Sequence, residues 1–340
     1  MSTSVSNTAA QFRFADPERE LGGVSLAHEL TRPRIVPFDQ NGSGWQLRLP
    51  RPPVDRLEYK LVLEHRDGRE EWITDPANEH DAPGPFGTKS VVEFPGYEPP
   101  TWVADENSDR GELRKLTLPR LSVPAFLWSA VDTDPAEPLP LLLVHDGPEY
   151  AEYSSLLRLL DHLVAFGELP PFRAALLPPG PDRHELYSAS ARYARRLVEE
   201  WLPRLGPVDG RPAAMGASLG ALAALHAHWL RPGTFSGLFL QSGSFFRRRF
   251  DSHESPFPRF GRITRFVSTV SGGRATPDRI PVTITCGTGE ENLGNNRFLA
   301  SVLDRDGWPV KLVEHPDAHN WISWRDSLHP HLADLIARAA

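Results

Sequence analysis

The chain has 340 residues, 37 of them Lys or Arg and 44 Asp or Glu, for a net charge of -7 at pH 7. That acidic balance argues against a nucleic-acid partner, because nothing offsets phosphate repulsion globally. The single cysteine, Cys286, excludes an internal disulfide framework, and no stretch approaches the roughly 20 apolar residues of a membrane span.

Residues 1–25 are polar and predict a disordered or frayed terminus. They hold no apolar leader-like run, so a cytoplasmic location is expected. From 26 to 104 the periodicity is two. Trp45, Leu47 and Leu49 alternate with polar neighbours, and Leu57, Tyr59, Leu61 and Leu63 repeat the pattern before the Asp67-Gly68 turn. Trp72-Ile73-Thr74 and Ser90-Val91-Val92-Glu93-Phe94 predict further short strands between Pro and Gly clusters. No helical pattern interrupts them, so the region reads as a small β-sandwich. Pro95-Gly96-Tyr97-Glu98-Pro99-Pro100 stiffens the boundary that follows.

The grammar changes over 105–340. Segments 113–118 and 123–131 predict strands, an antiparallel pair at a sheet edge. Leu139-Pro140-Leu141-Leu142-Leu143-Val144 is almost continuously apolar, the mark of a strand buried on both faces. A helix over 150–166, a strand at 172–177 and a helix over 190–205 come next. A strand and helix around 212–227 precede strands at 237–240 and 282–285. A helix over 292–306, a strand at 310–314 and a C-terminal helix complete the chain. Strands alternating with helices imply a mostly parallel sheet.

Chemistry concentrates where such a sheet binds ligands, beyond the carboxyl ends of its strands. Gly216-Ala217-Ser218-Leu219-Gly220 lies between an apolar run and Ala221-Leu222-Ala223-Ala224-Leu225, which has strong helix propensity. Strand, sharp turn and helix are the context of a nucleophile elbow, with Ser218 at its apex. A serine hydroxyl is a poor nucleophile at neutral pH and requires a base oriented by a carboxylate. Glu290 and Glu291 follow the strand at 282–286, and His315 and His319 follow the strand at 310–314. Glu290 and His319 are the favoured pair. Glu291 remains open as the acid, and His315 as a structural histidine. His145 would demand an unusual chain order, and His226 reads as packed or solvated within a helix. A developing oxyanion needs two backbone donors. Leu219 supplies one, and Gly147 or Glu149 the other, because Pro148 has no N–H.

Several motifs together resemble a known family. They are Asp146-Gly147, Asp182-Arg183-His184-Glu185-Leu186, the elbow, Gln241-Ser242-Gly243-Ser244, Cys286-Gly287-Thr288-Gly289-Glu290 and His319-Asn320-Trp321. This set is similar to the enterochelin (enterobactin) esterase-like branch of the esterase D family, within the α/β-hydrolase superfamily. The resemblance runs over roughly residues 40–335 and implies an α/β, three-layer hydrolase sandwich preceded by an Ig-like, early-set β-sandwich. It also implies a serine esterase in which Ser218, His319 and Glu290 are nucleophile, base and acid. The substrate class it implies is a small ester such as a catecholate siderophore trilactone. An acyltransferase using the same residues, or a non-catalytic carbohydrate- or siderophore-binding protein on this scaffold, are the alternative readings. Pro148 departs from the family's usual residue after Asp-Gly.

Substrate contacts are less sharply marked. Arg183 could anchor an anionic or carbonyl group, or pair structurally with Glu185. Phe245-Phe246-Arg247-Arg248-Arg249-Phe250 could overhang the site, where aromatic planes and guanidinium groups suit an anionic aryl ester. The alternative is a solvated loop. Trp321 and Trp324 are expected around His319. No metal-ligand spacing and no phosphate-binding glycine loop occur, so no metal and no cofactor is expected.

Overall fold

A computed structural model describes residues 3–31, 33–105, 110–273 and 278–339. It separates into two compact units, one formed by Met1–Pro99, Gly287–Glu291 and Glu314–Ser323. The other comprises Pro100–Cys286, Asn292–Val313 and Trp324–Ala340.

Among the described residues, ten short strands build the first unit. They are β1 (Ser4–Val5), β2 (Ala9–Ala15), β3 (Leu21–His28), β4 (Ile35–Pro37), β5 (Asp39–Asn41) and β6 (Gly44–Pro50), followed by β7 (Arg56–His65), β8 (Glu70–Ile73), β9 (Asp81–Ala82) and β10 (Lys89–Glu93). One sheet has the order β1-β2-β6-β5, and the other β4-β3-β7-β10-β9 with β8 against β7. Phe12, Leu26, Leu57, Tyr59, Leu61 and Phe94 form the core between them. This is the expected β-sandwich, with one correction. Residues 3–25 are not frayed, since β2 pairs with the whole of β6 and Phe12 is 1% exposed. Ala10, Phe12 and Phe14 alternate there with exposed Gln11 and Arg13. That period of two outweighs the polar composition that suggested fraying.

The large sheet comprises β11 (Glu112–Leu116), β12 (Ala125–Ser129), β13 (Leu141–His145), β14 (Arg173–Leu177), β15 (Ala213–Ala217), β16 (Gly237–Gln241), β17 (Val282–Gly287) and β18 (Val310–His315). Its order is β11-β12-β14-β13-β15-β16-β17-β18. β11 and β12 are the antiparallel edge pair, and the ladders from β14 through β17 are parallel. β13 to β17 are buried at every position, as strands covered on both faces must be.

The helices are α1 (Gly147–Tyr153), α2 (Leu156–Ala165), α3 (Arg183–Tyr187), α4 (Ala191–Arg195), α5 (Leu219–Leu230), α6 (Phe260–Ser271), α7 (Leu293–Arg305), α8 (Trp321–Asp326) and α9 (His331–Ala339). Two helices replace the single one expected over 150–166, because Ser155 turns left-handed at φ 50°. The helix expected over 190–205 continues from α4 into a π-helical stretch, Arg196–Trp201. α6 was not expected at all, although Ile263, Phe266, Val267 and Val270 are buried at helical spacing.

Candidate active site

Ser218 occupies the turn between β15 and α5 with φ 55° and ψ -118°, a conformation that costs a non-glycine residue on the order of 1–3 kcal/mol. Neighbouring backbone holds it there. Its amide donates to the Gln241 carbonyl at 2.8 Å, and its carbonyl accepts the Ser244 amide at 3.1 Å. The glycines are demanded by contact. A Cβ on Gly216 would stand 2.6 Å from the Gly220 carbonyl carbon, and one on Gly220 would stand 3.1 Å from Asp146 Oδ2. Ser218 Oγ lies half-buried, 3.1 Å from Ser244 Oγ. The Leu219 amide opens α5, where a helix leaves its donors without intrahelical partners.

The turn after β13 is equally tight. Asp146 is left-handed at φ 54°, and α1 begins at Gly147. Pro148 therefore falls in the first helical turn, where a missing N–H costs nothing. The amides of Gly147 and Glu149 remain as donors in that turn. Gly147 itself is irreplaceable, since a Cβ would lie 2.4 Å from Leu176 Cα on β14. Arg183 braces this turn by donating from Nε and Nη2 to Asp146 at 2.9 and 2.7 Å. That corrects the expected Arg183–Glu185 pairing, because Glu185 accepts from Arg259 and Arg262 instead, at 2.6 and 2.9 Å. Burial lowers His145 to about 4, so its ring is neutral, and Nδ1 donates to the Met215 carbonyl at 3.0 Å. His226 is packed edge-on against Phe266.

The candidate acid and base, Glu290 and His319, are carried by the loops after β17 and β18. Glu290 is 3% exposed. Its Oε1 accepts the Gly287 amide at 2.8 Å, and its Oε2 accepts from His319 Nδ1 at 2.7 Å. With Nδ1 donating, Nε2 of a neutral His319 is left as the proton acceptor. The two open alternatives are occupied elsewhere. Glu291 pairs with Arg34, and His315 Nε2 meets Ser323 Oγ at 2.8 Å. Ser218 belongs to the second compact unit, and the Glu290–His319 pair to the first.

Asp317, which sequence reasoning did not single out, shapes the histidine loop. Its Oδ1 accepts the Ala318 amide at 2.7 Å and Asn320 Nδ2 at 3.1 Å. Burial pushes this carboxyl up to about 7, against the pull of Arg56 and of those two hydrogen bonds. A carboxyl raised on folding contributes stability that is complete below about pH 4 and lost as pH rises through about 7. Asp317→Asn, isosteric with the protonated acid, should match the wild type near pH 4 and exceed its stability at pH 8 by on the order of 4 kcal/mol. Denaturant unfolding at the two pH values measures the difference, and equal gains at both would contradict this origin.

Behind the elbow, Gln241 links several elements. Its Oε1 accepts from Tyr150 at 2.7 Å, while Nε2 donates to Ser327 Oγ at 2.9 Å and to the Trp324 carbonyl at 3.0 Å. Trp324 donates from Nε1 to Ser242 Oγ at 3.0 Å. Trp321 is half-buried and opens α8. The stretch expected as an overhanging or solvated loop divides in two, with Arg248 and Arg249 exposed. Phe245 and Phe246 are buried, whereas Phe250 is 68% exposed. Arg247 donates to Asn295 Oδ1 at 2.8 Å and lies over the rings of Phe250 and Phe298 at 4.2 and 4.8 Å.

No family model matches the chain. Over 217 residues it is 28% identical to an iron(III) enterobactin esterase of Dickeya dadantii (strain 3937), covering 59% of this chain and 48% of that protein. The chain thus matches that curated relative over about half of the relative's length. Its fold is that of the enterobactin esterase of Shigella flexneri solved in the presence of enterobactin, with TM-score 0.76, 18% identity, and coverage of 98% of this chain and 95% of that one. The ferric enterobactin esterase of Salmonella typhimurium is similar at TM-score 0.74 and 20% identity, over 96% of this chain and 93% of that one. A ferulic acid esterase aligns at TM-score 0.53 and 20% identity, over 68% of this chain and 98% of that one. The architecture is therefore an α/β-hydrolase sheet with an N-terminal β-sandwich.

Proposed function

We propose that the chain is a serine esterase that hydrolyses carboxylic ester bonds through an acyl-enzyme. The observation that carries this reading is the 2.7 Å hydrogen bond from His319 Nδ1 to buried Glu290. It holds the imidazole in the tautomer a serine nucleophile requires. Ser218 Oγ attacks the ester carbonyl carbon while its proton passes to His319 Nε2. Negative charge gathers on the carbonyl oxygen, facing the amides of Leu219 and of Gly147 or Glu149. The tetrahedral intermediate collapses, the C–O bond to the alcohol breaks, and His319 returns the proton to that leaving oxygen. Water then attacks the acyl-enzyme with His319 again as base, releasing the acid and restoring Ser218.

The substrate class we assign is a catecholate siderophore trilactone or a related aryl ester, in the cytoplasm. The likeness to enterobactin esterases supports it, as does the pairing of Arg247 with aromatic rings. Arg183, Arg247 and Trp321 are the side chains proposed nearest the substrate, with Arg183 acting through Asp146. Purified protein should cleave a catecholate trilactone, iron-loaded or iron-free, with kcat/KM at least about 100-fold above that for feruloyl or short acyl esters. Preference for a simple short-chain ester would overturn the siderophore assignment while leaving the esterase intact.

A further inference from the structure

The acid and base belong to the same compact unit as the β-sandwich, although both follow strands of the large sheet. Besides the Arg34–Glu291 pair, three hydrogen bonds among the described residues tie their loops to it. The Thr31 amide donates to the Gly289 carbonyl at 3.1 Å, Thr288 Oγ1 donates to the Pro53 carbonyl at 2.9 Å, and the Asp55 amide donates to the Pro316 carbonyl at 2.7 Å. A fourth joins the loops to each other, from the Gly289 amide to the Asp317 carbonyl at 3.0 Å. Side chains complete the seat. Leu30 and Val54 lie so close over Gly289 that a Cβ there would stand 2.9 Å from Leu30 Cδ2 and 2.7 Å from Val54 Cγ1. Ala318 is 3% exposed and packs in the same apolar cluster as Leu30, Val54, Phe12 and Tyr59.

Glu290 and His319 are thus each preceded by a residue embedded in the sandwich, Gly289 and Ala318. We infer that the β-sandwich positions the Glu290–His319 pair, with Leu30, Thr31, Val54 and Asp55 as its positioning residues. The inference rests on the esterase reading for its catalytic consequence, but the geometry of the pair stands apart from it. A hydrogen bond of 2.7 Å between two loop residues survives only if both loops are held to a few tenths of an ångström. The loops brace each other through the Gly289 bond to Asp317 and the Thr288 amide bond to the His315 carbonyl at 2.8 Å, and further rigidity comes from outside them. The sandwich supplies it through buried apolar contact at Gly289 and Ala318 and through backbone bonds at Thr31 and Asp55.

The test uses Gly289→Ala, whose methyl group drives the acid loop away from Val54 and Leu30, and the double variant with Val54→Ala, which relieves the closer of those two contacts. Gly289→Ala should lower kcat by about 100-fold with KM within about twofold, and the double variant should recover about tenfold of that loss. Val54→Ala alone keeps the test open if Gly289→Ala does not fold, with kcat expected about tenfold low. The same substitutions in a Ser218→Ala background are examined by proton NMR. The downfield His319 Nδ1 proton should be present in the parent, displaced or lost in Gly289→Ala, and returned by Val54→Ala. This resonance reports on the pair whether or not the protein cleaves esters. A wild type inert toward esters but showing this pattern would defeat the esterase reading alone. Unchanged kcat and resonance in folded Gly289→Ala or Val54→Ala, or a double variant no better than the single, would overturn the positioning role.

Discussion

Ser218→Ala should lower kcat on an aryl ester by about 10⁶-fold, while KM stays within a fewfold. The size follows from the proposed division of labour. Without the hydroxyl no acyl-enzyme forms, and what remains is direct attack by water assisted by the oxyanion donors, about 10³–10⁴-fold above the uncatalysed rate. The substitution should leave folding intact. Alanine keeps the Cβ, so the strain at φ 55° is unchanged, and the backbone bonds to Gln241 and Ser244 do not involve the side chain. Steady-state kinetics beside thermal unfolding separate the two effects. Activity within a fewfold of wild type would exclude Ser218 as nucleophile.

Glu290→Gln should cost about 10⁴-fold in kcat, for a reason specific to this geometry. Glu290 uses one oxygen for the Gly287 amide at 2.8 Å and the other for His319 Nδ1 at 2.7 Å. A glutamine keeps its single carbonyl oxygen toward the Gly287 donor, which turns its NH2 group toward His319. The imidazole must then accept at Nδ1 and carry its proton on Nε2, where it cannot take the one from Ser218. Glu291→Gln is the matched control. Glu291 pairs with Arg34, so activity should remain within about twofold of wild type, as for an exposed ion pair that contributes little. A pH-rate profile of both variants checks the assignment, and a larger loss in Glu291→Gln than in Glu290→Gln would reverse it.

The elbow was legible because its determinants are local. Two glycines, a serine and the strand and helix around them are all set within a dozen residues, and the close approach of Gly216 to Gly220 is written into that spacing. Glu290 and His319 were legible by position, as polar residues just past apolar strands. Whether Glu290 or Glu291 meets His319 was not, because a one-residue shift reverses which side chain turns inward. The partner of Arg183 was hidden for another reason. Asp146 lies 37 positions away, and pairing across that distance depends on how β13 and β14 align rather than on any pattern along the chain. The terminus misled through composition, since Ser and Thr outnumber the few apolar residues that make β2 a strand. α6 was missed between the Phe245–Phe250 stretch and the strand at 282–285, although its apolar spacing was there to be counted. Asp317 could not have been found at all. Its raised carboxyl is a product of burial, which one sequence does not display.

The catalytic account stands or falls on whether Ser218 is activated. Reaction of the purified wild-type protein with a fluorophosphonate, followed by peptide mass mapping, measures this without knowledge of the natural ester. The account predicts stoichiometric modification of Ser218, none in Ser218→Ala, and labelling slowed at least about 100-fold in His319→Ala, where the base is gone. An unlabelled wild type, or a label on any other residue with Ser218 untouched, would contradict it.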